Sequence, residues 1–313
     1  MIAVIATITL NPSIDRTLEI NRLVVGGMNR VKSKIDHPSG KGINVSRDLK
    51  LWGCPTEALT IVGGDSGRWL VQALEEQDIP VDFVEVEGET RINIKIWAAE
   101  ENLSTEVNEP GPTVTERELE ELLAKIRARA SQWDWVVISG SAPPGTPPDF
   151  YAEIVKTARE QGAKTALDAS GAALREGIKA CPDLIKPNET EARDILGWEP
   201  EDEAGAIRAV EELTSLGVGC VMLTLGKAGG YVDRGGQIWQ GIPPKVDVKT
   251  TVGCGDAALA GMVWALREGK SLDEALGWAM AAGAAAATTW GTEPPAWRLV
   301  EELFPKVKCI RHR

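Results

Sequence analysis

The sequence is poor in histidine, and its cysteines are few and scattered, which excludes several kinds of active site. Its 313 residues include only His37 and His312, so catalysis by a histidine-activated nucleophile and His-rich metal sites have almost no candidates. The five cysteines, at positions 54, 181, 220, 254 and 309, form no C-x-x-C pair. Such a set argues against a disulfide framework or a thiolate metal site and is typical of a reducing compartment.

Basic clusters and long apolar runs are missing as well. The formal net charge is −12 and no run of five basic residues occurs, which argues against a nucleic-acid footprint. The most apolar long stretch, 275–290, is too short for a membrane span and predicts a core helix. Residues 1–10 carry no charge and predict a buried strand rather than a signal peptide. We therefore expect a cytoplasmic protein with neither nucleic acid nor membrane as a partner.

The chain does contain a regular alternation of apolar runs and amphipathic segments. Runs that read as buried strands lie at 4–8, 58–62, 135–139, 164–168, 184–186 and 221–224, and helical patterns cover 115–131, 149–161 and 202–216. This alternation predicts a doubly wound, mostly parallel α/β sheet covered on both faces. Ligands of such sheets bind beyond the carboxyl ends of the strands.

Two regions depart from that rhythm. Residues 17–25 with 30–36, and residues 90–98, alternate polar and apolar side chains as half-exposed strands do. We expect them to form a small β-sheet lid, inserted at about 12–36 and 88–108 into a single α/β domain spanning 1–313. An edge extension of the central sheet is the alternative.

The segment TVGCGDAALAG, residues 251–261, has the features of a phosphoryl-transfer site. Glycines flank Cys254 and allow a tight turn that aims successive N–H groups at one point. The apolar residues that follow favour a helix, whose N-terminus adds partial positive charge there. Asp256 is placed to take a proton from an attacking hydroxyl. Two alternatives remain open: a dinucleotide-binding G-x-G-x-x-A motif and a plain capped glycine turn.

Two further loops follow predicted strands. In residues 39–44, SGKGIN, glycines allow close backbone approach, Lys41 offers a point charge and Asn44 a two-way hydrogen-bonding amide. A generic strand-to-helix turn is the alternative. In residues 139–147, Ser139 and its neighbours place hydroxyls and stiffening prolines at a strand end, as in the wall of a site.

Residues 186–191, KPNETE, are a stronger signal. Asn188 and Glu191 share a face as a helix begins and could hold Mg²⁺ through its waters. An acidic helix cap is the alternative. Residues 225–230, LGKAGG, read either as the lining of a nucleoside pocket or as a hairpin turn.

The strand 90–96 has one cationic face. Alternation places Arg91, Asn93 and Lys95 together, opposite three isoleucines. Over a binding site, such a face suggests a clamp for a phosphate already present on the substrate. A solvated strand face is the alternative.

Seven motifs together resemble the ribokinase-like (PfkB) family of sugar kinases, in the right order and over essentially the full length. They are TLNPSID (9–15), GKGINVS (40–46), TRINIK (90–95), SGSAPPG (139–145), DASG (168–171), KPNETE (186–191) and GCGD (253–256). The sequence is most similar to the 1-phosphofructokinase and tagatose-6-phosphate kinase branch. The resemblance implies ATP with Mg²⁺ as phosphoryl donor, a sugar phosphate as acceptor and a homodimer that pairs through the lid.

The resemblance also implies residue roles. Asp256 would be the catalytic base, and the amides of Gly253, Cys254 and Gly255 the anion hole. Residues that would hold the sugar and its phosphate are Asp15, Gly40, Lys41, Asn44, Arg91, Asn93 and Ser139. Residues that would hold ATP are Lys186, Asn188, Glu191, Thr224, Gly226 and Gly229, with Glu191 and Asn188 also serving the metal.

Cys254 departs from the branch, which commonly has alanine or serine between these glycines. The backbone N–H is unaffected, but oxidation of the thiol would block the site. The resulting hypothesis is an ATP-dependent kinase that converts a ketohexose phosphate to a bisphosphate. A kinase of an unphosphorylated sugar or nucleoside, a non-catalytic sugar-phosphate sensor and, more distantly, an NAD-binding oxidoreductase are the rivals.

Overall fold

Two β-sheets form the framework of the chain in the computed structural model, which describes residues 4–313. The strands of the large sheet are β1 (Ile5–Thr9), β4 (Thr56–Gly63), β5 (Val81–Val86), β8 (Trp135–Ser139), β9 (Lys164–Asp168), β10 (Leu184–Ile185), β11 (Val221–Thr224), β12 (Gly230–Arg234), β13 (Gln237–Ile242) and β14 (Lys308–Arg311). The strands of the small sheet are β2 (Ser13–Ile20), β3 (Ser33–Ser39), β6 (Arg91–Ala98) and β7 (Leu103–Val107).

Helices connect most of the strands and cover the large sheet. They are α1 (Lys41–Leu51), α2 (Gly64–Glu75), α3 (Glu116–Arg129), α4 (Phe150–Glu160), α5 (Gly171–Ile178), α6 (Glu189–Leu196), α7 (Glu203–Ser215), α8 (Cys254–Arg267), α9 (Leu272–Ala286) and α10 (Trp297–Leu303). None of the helices in residues 4–313 is long and apolar enough to cross a bilayer.

The large sheet has the order β14-β13-β12-β11-β10-β9-β8-β1-β4-β5. Its pairs from β5 to β11 are parallel, and β12, β13 and β14 add an antiparallel edge. Central strands such as β1 and β8 are buried along their whole length, which is why they read as continuous apolar runs. The predicted doubly wound, mostly parallel sheet is confirmed.

One large apolar core lies on each face of that sheet, and a smaller third cluster packs α2 against β4. Helices α3 to α7 pack on one face, and α1, α8, α9 and α10 pack on the other. Helices α8 and α9 approach closely: a Cβ on Gly261 would lie 2.8 Å from the carbonyl oxygen of Trp278. Trp264, Trp278 and Trp297 pack together with ring centroids 4.7–5.1 Å apart, so tryptophans fill this outer core.

The small sheet stands apart from the large one, with the order β3-β2-β6-β7. The alternative of an edge extension is therefore wrong. The strand bounds also differ from the sequence prediction, because β2 ends at Ile20 and β3 continues to Ser39, past residue 36. Pro38 lies in β3 and pairs with Ile14; β3 is an edge strand, where proline is tolerated.

Candidate functional site

Asp256 lies at the N-terminus of α8, where its carboxylate is held by a side chain from a remote part of the sequence. It is 7% exposed, and Asn44 Nδ2, from α1, donates to its Oδ2 over 2.8 Å. Ser39 Oγ in turn donates to Asn44 Oδ1 over 3.3 Å. Helix α1 can approach because Gly42 lacks a side chain: a Cβ there would lie 2.4 Å from Thr9 Oγ1. The motifs at 39–44 and 253–256 are thus brought together.

The turn before Asp256 has the geometry that its glycines predict. Gly253 adopts the left-handed φ of 79°, and α8 begins at the next residue. The first N–H groups of α8, from Cys254 onward, have no partner in the helix's own ladder and point to a common region. A Cβ on Gly255 would lie 3.5 Å from Lys186 Nζ, so a buried ammonium group lies beside these amides.

Asp168 connects two lysines at the centre of the site. Its carboxylate is fully buried, and its Oδ1 lies 3.2 Å from Lys41 Nζ and 3.3 Å from Lys186 Nζ. Ser139 Oγ donates to its Oδ2 over 3.4 Å. Burial alone would raise the pKa of Asp168, but the two lysines outweigh it and hold the pKa below its ordinary value. The sequence alone assigns no role to Asp168, although it is the last residue of the buried strand β9.

Two buried carboxyl groups near Asp168 and its lysines have pKa values above the ordinary ones. Burial, reinforced by the charge of Asp168, raises the pKa of Asp256 from 3.8 to about 6. The same two causes raise the pKa of Glu191, whose Oε1 lies 3.9 Å from Lys41 Nζ. A carboxyl group whose pKa lies near the working pH is suited to exchange a proton with a bound hydroxyl.

Asp15 and its partners line the small-sheet side of the site. Asp15 Oδ1 accepts hydrogen bonds from Ser13 Oγ (3.0 Å) and Asn93 Nδ2 (3.2 Å), and its Oδ2 accepts one from Lys95 Nζ (2.8 Å). The Oδ1 atom of Asn93 is buried and has no protein partner. Alternation places Lys95 on the same strand face as Arg91 and Asn93 but does not predict its pairing with Asp15, because a contact between residues 80 positions apart has no local sequence signal.

Arg91 is tied to backbone carbonyls beside this group. Its guanidinium donates to the carbonyl oxygens of Asn11 (2.9 Å), Pro12 (3.4 Å) and Glu109 (3.3 Å). These bonds use three of the five N–H groups of the arginine side chain, so two N–H groups remain. Burial lowers its pKa. Arg91 therefore braces two loops and retains donors for an anion.

Asn188 and Glu191 form the helix cap that was their alternative interpretation. Asn188 Oδ1 accepts from the N–H of Glu191, and Glu191 Oε2 accepts from the N–H of Asn188, both over 2.9 Å. The cap leaves Glu191 Oε1 free of hydrogen bonds to the backbone. Within residues 4–313, no three His, Cys, Asp or Glu side chains cluster as a metal site. Glu191 Oε1, which is not used by the cap and lies 3.9 Å from Lys41 Nζ, fits Mg²⁺ that retains most of its waters.

Thr224, Gly226 and Gly229 lie next to that cap. The N–H of Thr224 donates to the carbonyl of Pro187 over 3.0 Å, and residues Gly226–Ala228 form a 3₁₀ turn between antiparallel strands β11 and β12. Gly229, with φ 95°, packs closely against β13, since a Cβ there would lie 2.0 Å from the carbonyl oxygen of Gly241. The segment is a hairpin turn, and it lies beside the 186–191 motif.

Gly40 and Cys254 complete the set of predicted residues. Gly40 has φ 127°, and a Cβ there would lie 2.8 Å from Thr9 Cγ2, so only glycine fits the turn from β3 into α1. The Cys254 thiol lies 3.7 Å from the carbonyl oxygen of Thr250. Burial and the nearby Asp256 raise its pKa to about 11. A thiol that stays protonated reacts slowly with oxidants.

A cavity of about 680 Å³ adjoins this site, between the inner face of the small sheet and residues 248–252. His37, Lys95 and Trp97 line it from the sheet, and Trp290 lines it from the large domain. Trp97 and Trp290 meet edge to face with centroids 5.9 Å apart. Asp256 is not among the lining residues, so the cavity lies beside the buried cluster and does not include it.

Known proteins resemble this chain over nearly its whole length. Residues 8–298 match the model of the pfkB family of carbohydrate kinases. The chain is 33% identical to the 1-phosphofructokinase of Bacillus subtilis (strain 168) over 98% of this chain and 99% of that protein. It is similar to the crystal structure of phosphofructokinase-2 from Escherichia coli in complex with potassium, with TM-score 0.93, 29% identity and coverage of 98% and 99%. The complex of that enzyme with fructose-6-phosphate has TM-score 0.89 at 27% identity, with the same coverage.

Proposed function

Since the chain belongs to the pfkB family of carbohydrate kinases, we propose that it transfers the γ-phosphoryl group of ATP to a hydroxyl of a ketohexose phosphate, forming a bisphosphate. The observation that carries this proposal is the buried Asp256, held by Asn44 at the N-terminus of α8 beside two lysines. A binding protein has no need of a carboxylate with a raised pKa inside an anion hole.

Asp256 acts as the base. Its ionised carboxylate accepts the proton of the acceptor hydroxyl while that oxygen attacks the γ-phosphorus, and the β–γ bridging oxygen leaves with ADP. Asn44 fixes the orientation of the carboxylate through the bond to Oδ2, which leaves Oδ1 for the substrate. The environment that raises the pKa to about 6 also makes Asp256 a stronger base than an exposed aspartate.

The charge that develops on the transferred phosphoryl group is stabilised by groups already in place. The amides of residues 253–255 and the ammonium of Lys186 lie on one side, and Lys41 lies across Asp168. Because Asp168 holds both lysines before substrate arrives, little reorganisation is needed during transfer. Ser139 positions Asp168 and lies in the wall on the acceptor side.

The acceptor sugar is held between the large domain and the small sheet, which serves as a lid. Asp15 accepts sugar hydroxyls, Asn93 offers its free Oδ1 atom, Gly40 permits close backbone approach, and Arg91 binds the phosphate that the sugar already carries. Closure of the lid excludes water and limits ATP hydrolysis.

ATP lies along the edge formed by the 186–191 motif and the 224–229 turn, with its nucleoside against Thr224, Gly226 and Gly229. Glu191, through its Oε1 atom, would hold Mg²⁺ through water. Asn188 would contribute more weakly, because its side-chain oxygen caps α6. The metal would neutralise phosphate charge during the transfer. Lys186 and Glu191 thus serve the donor side of the reaction.

The outer face of the lid supports a homodimer. Leu18, Ile92, Ile94 and Ile96 are only half buried on that face, and Leu103 is 60% exposed. An apolar sheet face of this kind favours a covering partner, and a second copy of the chain supplies an identical one. Sedimentation at micromolar concentration tests the proposal; a monomer would contradict it.

The test of the function is coupled ADP release with Mg-ATP. The acceptors are fructose 1-phosphate, fructose 6-phosphate, tagatose 6-phosphate, free fructose, ribose and adenosine, each with and without Mg²⁺. One sugar phosphate with kcat/KM above about 10⁴ M⁻¹ s⁻¹ would support the proposal and name the substrate. Turnover of only an unphosphorylated acceptor would overturn the role of Arg91. Binding of a sugar phosphate without turnover would favour a sensor.

The pH dependence should report the base. We expect kcat/KM to fall about tenfold per pH unit below pH 6, because protonated Asp256 cannot accept the hydroxyl proton. The second ionisation of a phosphate monoester lies near the same pH, so rates are compared at equal concentrations of the substrate dianion. A profile that stays flat to pH 5 after this correction would argue against Asp256 as the base.

Replacing Arg91 with alanine should weaken binding of the sugar phosphate. We expect KM to rise about 10- to 100-fold with kcat changed only a few-fold, the scale of one charge-assisted hydrogen bond. Because Arg91 also braces the carbonyls of Asn11 and Glu109, Arg91→Lys serves as the charge-conserving control. An equal rise in KM for free fructose would show that Arg91 acts only as a brace.

A further inference from the structure

Lys95 is the least exposed lysine of the small sheet, and it faces the site. Its residue is 8% exposed, and its ammonium donates to Asp15 Oδ2 over 2.8 Å. The register of the parallel pair β2–β6 places Asp15 opposite Asn93 and Thr17 opposite Lys95. Lys95 therefore reaches back diagonally across the sheet to the carboxylate, and it also lines the cavity.

The arrangement around Asp15 orders both of its oxygens. Ser13 and Asn93 fix Oδ1, and Lys95 fixes Oδ2. A carboxylate accepts about four hydrogen bonds through its two oxygens, and three are already made by the lid itself. The orientation of Asp15 is thus set before a sugar binds, and Lys95 is the only one of these three donors that is charged.

We infer that Lys95 is a positioning residue for the acceptor sugar: it fixes the orientation of the Asp15 carboxylate, so that Asp15 can accept sugar hydroxyls when the lid closes. This inference rests on the proposed function, because it takes Asp15 as a sugar ligand. Lys95 acts through Asp15 and not on the reacting atoms. Its loss should therefore change binding of the sugar and leave the phosphoryl-transfer step nearly intact.

Several charged groups face Asp15 from the elements packed around it. Lys95 lies on β6, Arg91 begins the same strand, His37 lies opposite on β3, and Arg47 projects from α1. Burial alone would raise the pKa of Asp15, and Lys95 is the largest influence that lowers it. Burial and the charge of Arg47 lower the pKa of His37, which therefore adds little positive charge at neutral pH.

The test compares Lys95→Met with a matched ion-pair variant on the other face of the lid. Arg16 on β2 pairs with Asp36 on β3 over 2.8 Å, pointing away from the site, so Arg16→Met removes a cross-strand ion pair of the same sheet. We expect Lys95→Met to raise the KM for the sugar phosphate about 10- to 100-fold, with kcat and the KM for ATP within a few-fold. Arg16→Met should leave all three constants near those of the parent protein, with the oligomeric state of each variant checked by sedimentation.

The pH profile separates a positioning role from a structural one. Without Lys95 the pKa of Asp15 should rise, so 1/KM for the sugar phosphate should begin to fall at a higher pH than in the parent protein, while the pH profile of kcat, set by Asp256, should stay unchanged. The Arg16→Met profile should match that of the parent protein, and Lys95→Arg should restore most of the lost affinity. If Lys95→Met behaves like Arg16→Met in both KM and pH profile, the inference is wrong.

Asp15→Asn distinguishes failure of this inference from failure of the proposed function. If Asp15→Asn binds the sugar phosphate normally, Asp15 is not a sugar ligand and the proposed function is wrong at that point. If Asp15→Asn loses binding while Lys95→Met does not, only the inference fails. We expect both single variants to lose affinity and the double variant to be no worse than Asp15→Asn, because both act through one carboxylate.

Discussion

Replacing Asp256 with asparagine is expected to lower kcat by about 10²–10⁴-fold, the usual contribution of a positioned base. The amide has nearly the same shape, so the hydrogen-bonded contact with Asn44 and the first turn of α8 should persist. The variant cannot accept the proton of the attacking hydroxyl. Binding of ATP should be unchanged, because the anion hole is built from backbone amides and Lys186.

The same variant should not lose stability. Burial raises the pKa of Asp256 from 3.8 to about 6, so the folded state holds its proton more tightly than the unfolded state does. The stability that this group contributes is then present at low pH and is lost as pH rises from about 4 to about 6. At pH 7 asparagine removes the cost of a buried charge, and thermal unfolding should show a Tm equal to or above that of the parent protein.

Asp48→Asn is the matched control for this prediction. Asp48 lies on α1 one turn beyond Asn44 and is 4% exposed; burial, with the charge of Asp256, raises its pKa well above the ordinary value. Because burial favours the uncharged form of this carboxyl group, its conversion to an amide should change kcat only a few-fold. Turnover near the parental rate in Asp256→Asn, or an equal loss in Asp48→Asn, would contradict the assignment of the base.

The sequence predicts those parts of the molecule that depend on local pattern. Alternating strands and helices predict the large sheet, and the glycines around Cys254 predict the turn into α8, because both depend on neighbouring residues. Polar side chains at the ends of β8, β9 and β10 are brought together because carboxyl ends of parallel strands share an edge.

Contacts between residues far apart in the chain could not be predicted in this way. Lys41 meets Asp168 across 127 positions, and Lys95 meets Asp15 across 80. Neither pairing has a periodic signal, since the first depends on how α1 packs against the large sheet and the second on the pairing of β2 with β6. Alternation predicts a strand only to residue 36, whereas β3 continues to Ser39 and includes Pro38, which is tolerated because β3 lies at the edge of its sheet. The carbonyl contacts of Arg91 likewise follow from loop placement.

Lys186→Met is expected to lower kcat by about 10²–10³-fold, the loss that follows removal of one strong donor from a preorganised anion hole. Lys186 is 4% exposed and lies beside Gly255 and Asp168, so its charge acts where solvent screening is weak. The KM for the sugar phosphate should change little, because Lys186 lies on the donor side. Steady-state kinetics with both substrates varied, together with calorimetric binding of ATP, measure these effects.

Loss of Lys186 also removes one of the two cations that neutralise Asp168, and this second effect must be separated from the first. Lys41 stays 3.2 Å from the same oxygen, so the buried carboxylate keeps a partner and the protein should remain folded, as circular dichroism can verify.

Two further variants serve as controls. Lys186→Arg keeps the charge and should recover much of kcat. Lys156 is an exposed lysine on α4, so Lys156→Met should have no effect. If Lys186→Met raises the KM for the sugar phosphate while kcat stays near the parental value, Lys186 serves the acceptor and not the transferred phosphoryl group. If kcat falls in Lys186→Met and recovers in Lys186→Arg, transfer requires a positive charge at the anion hole, because only the arginine variant keeps that charge.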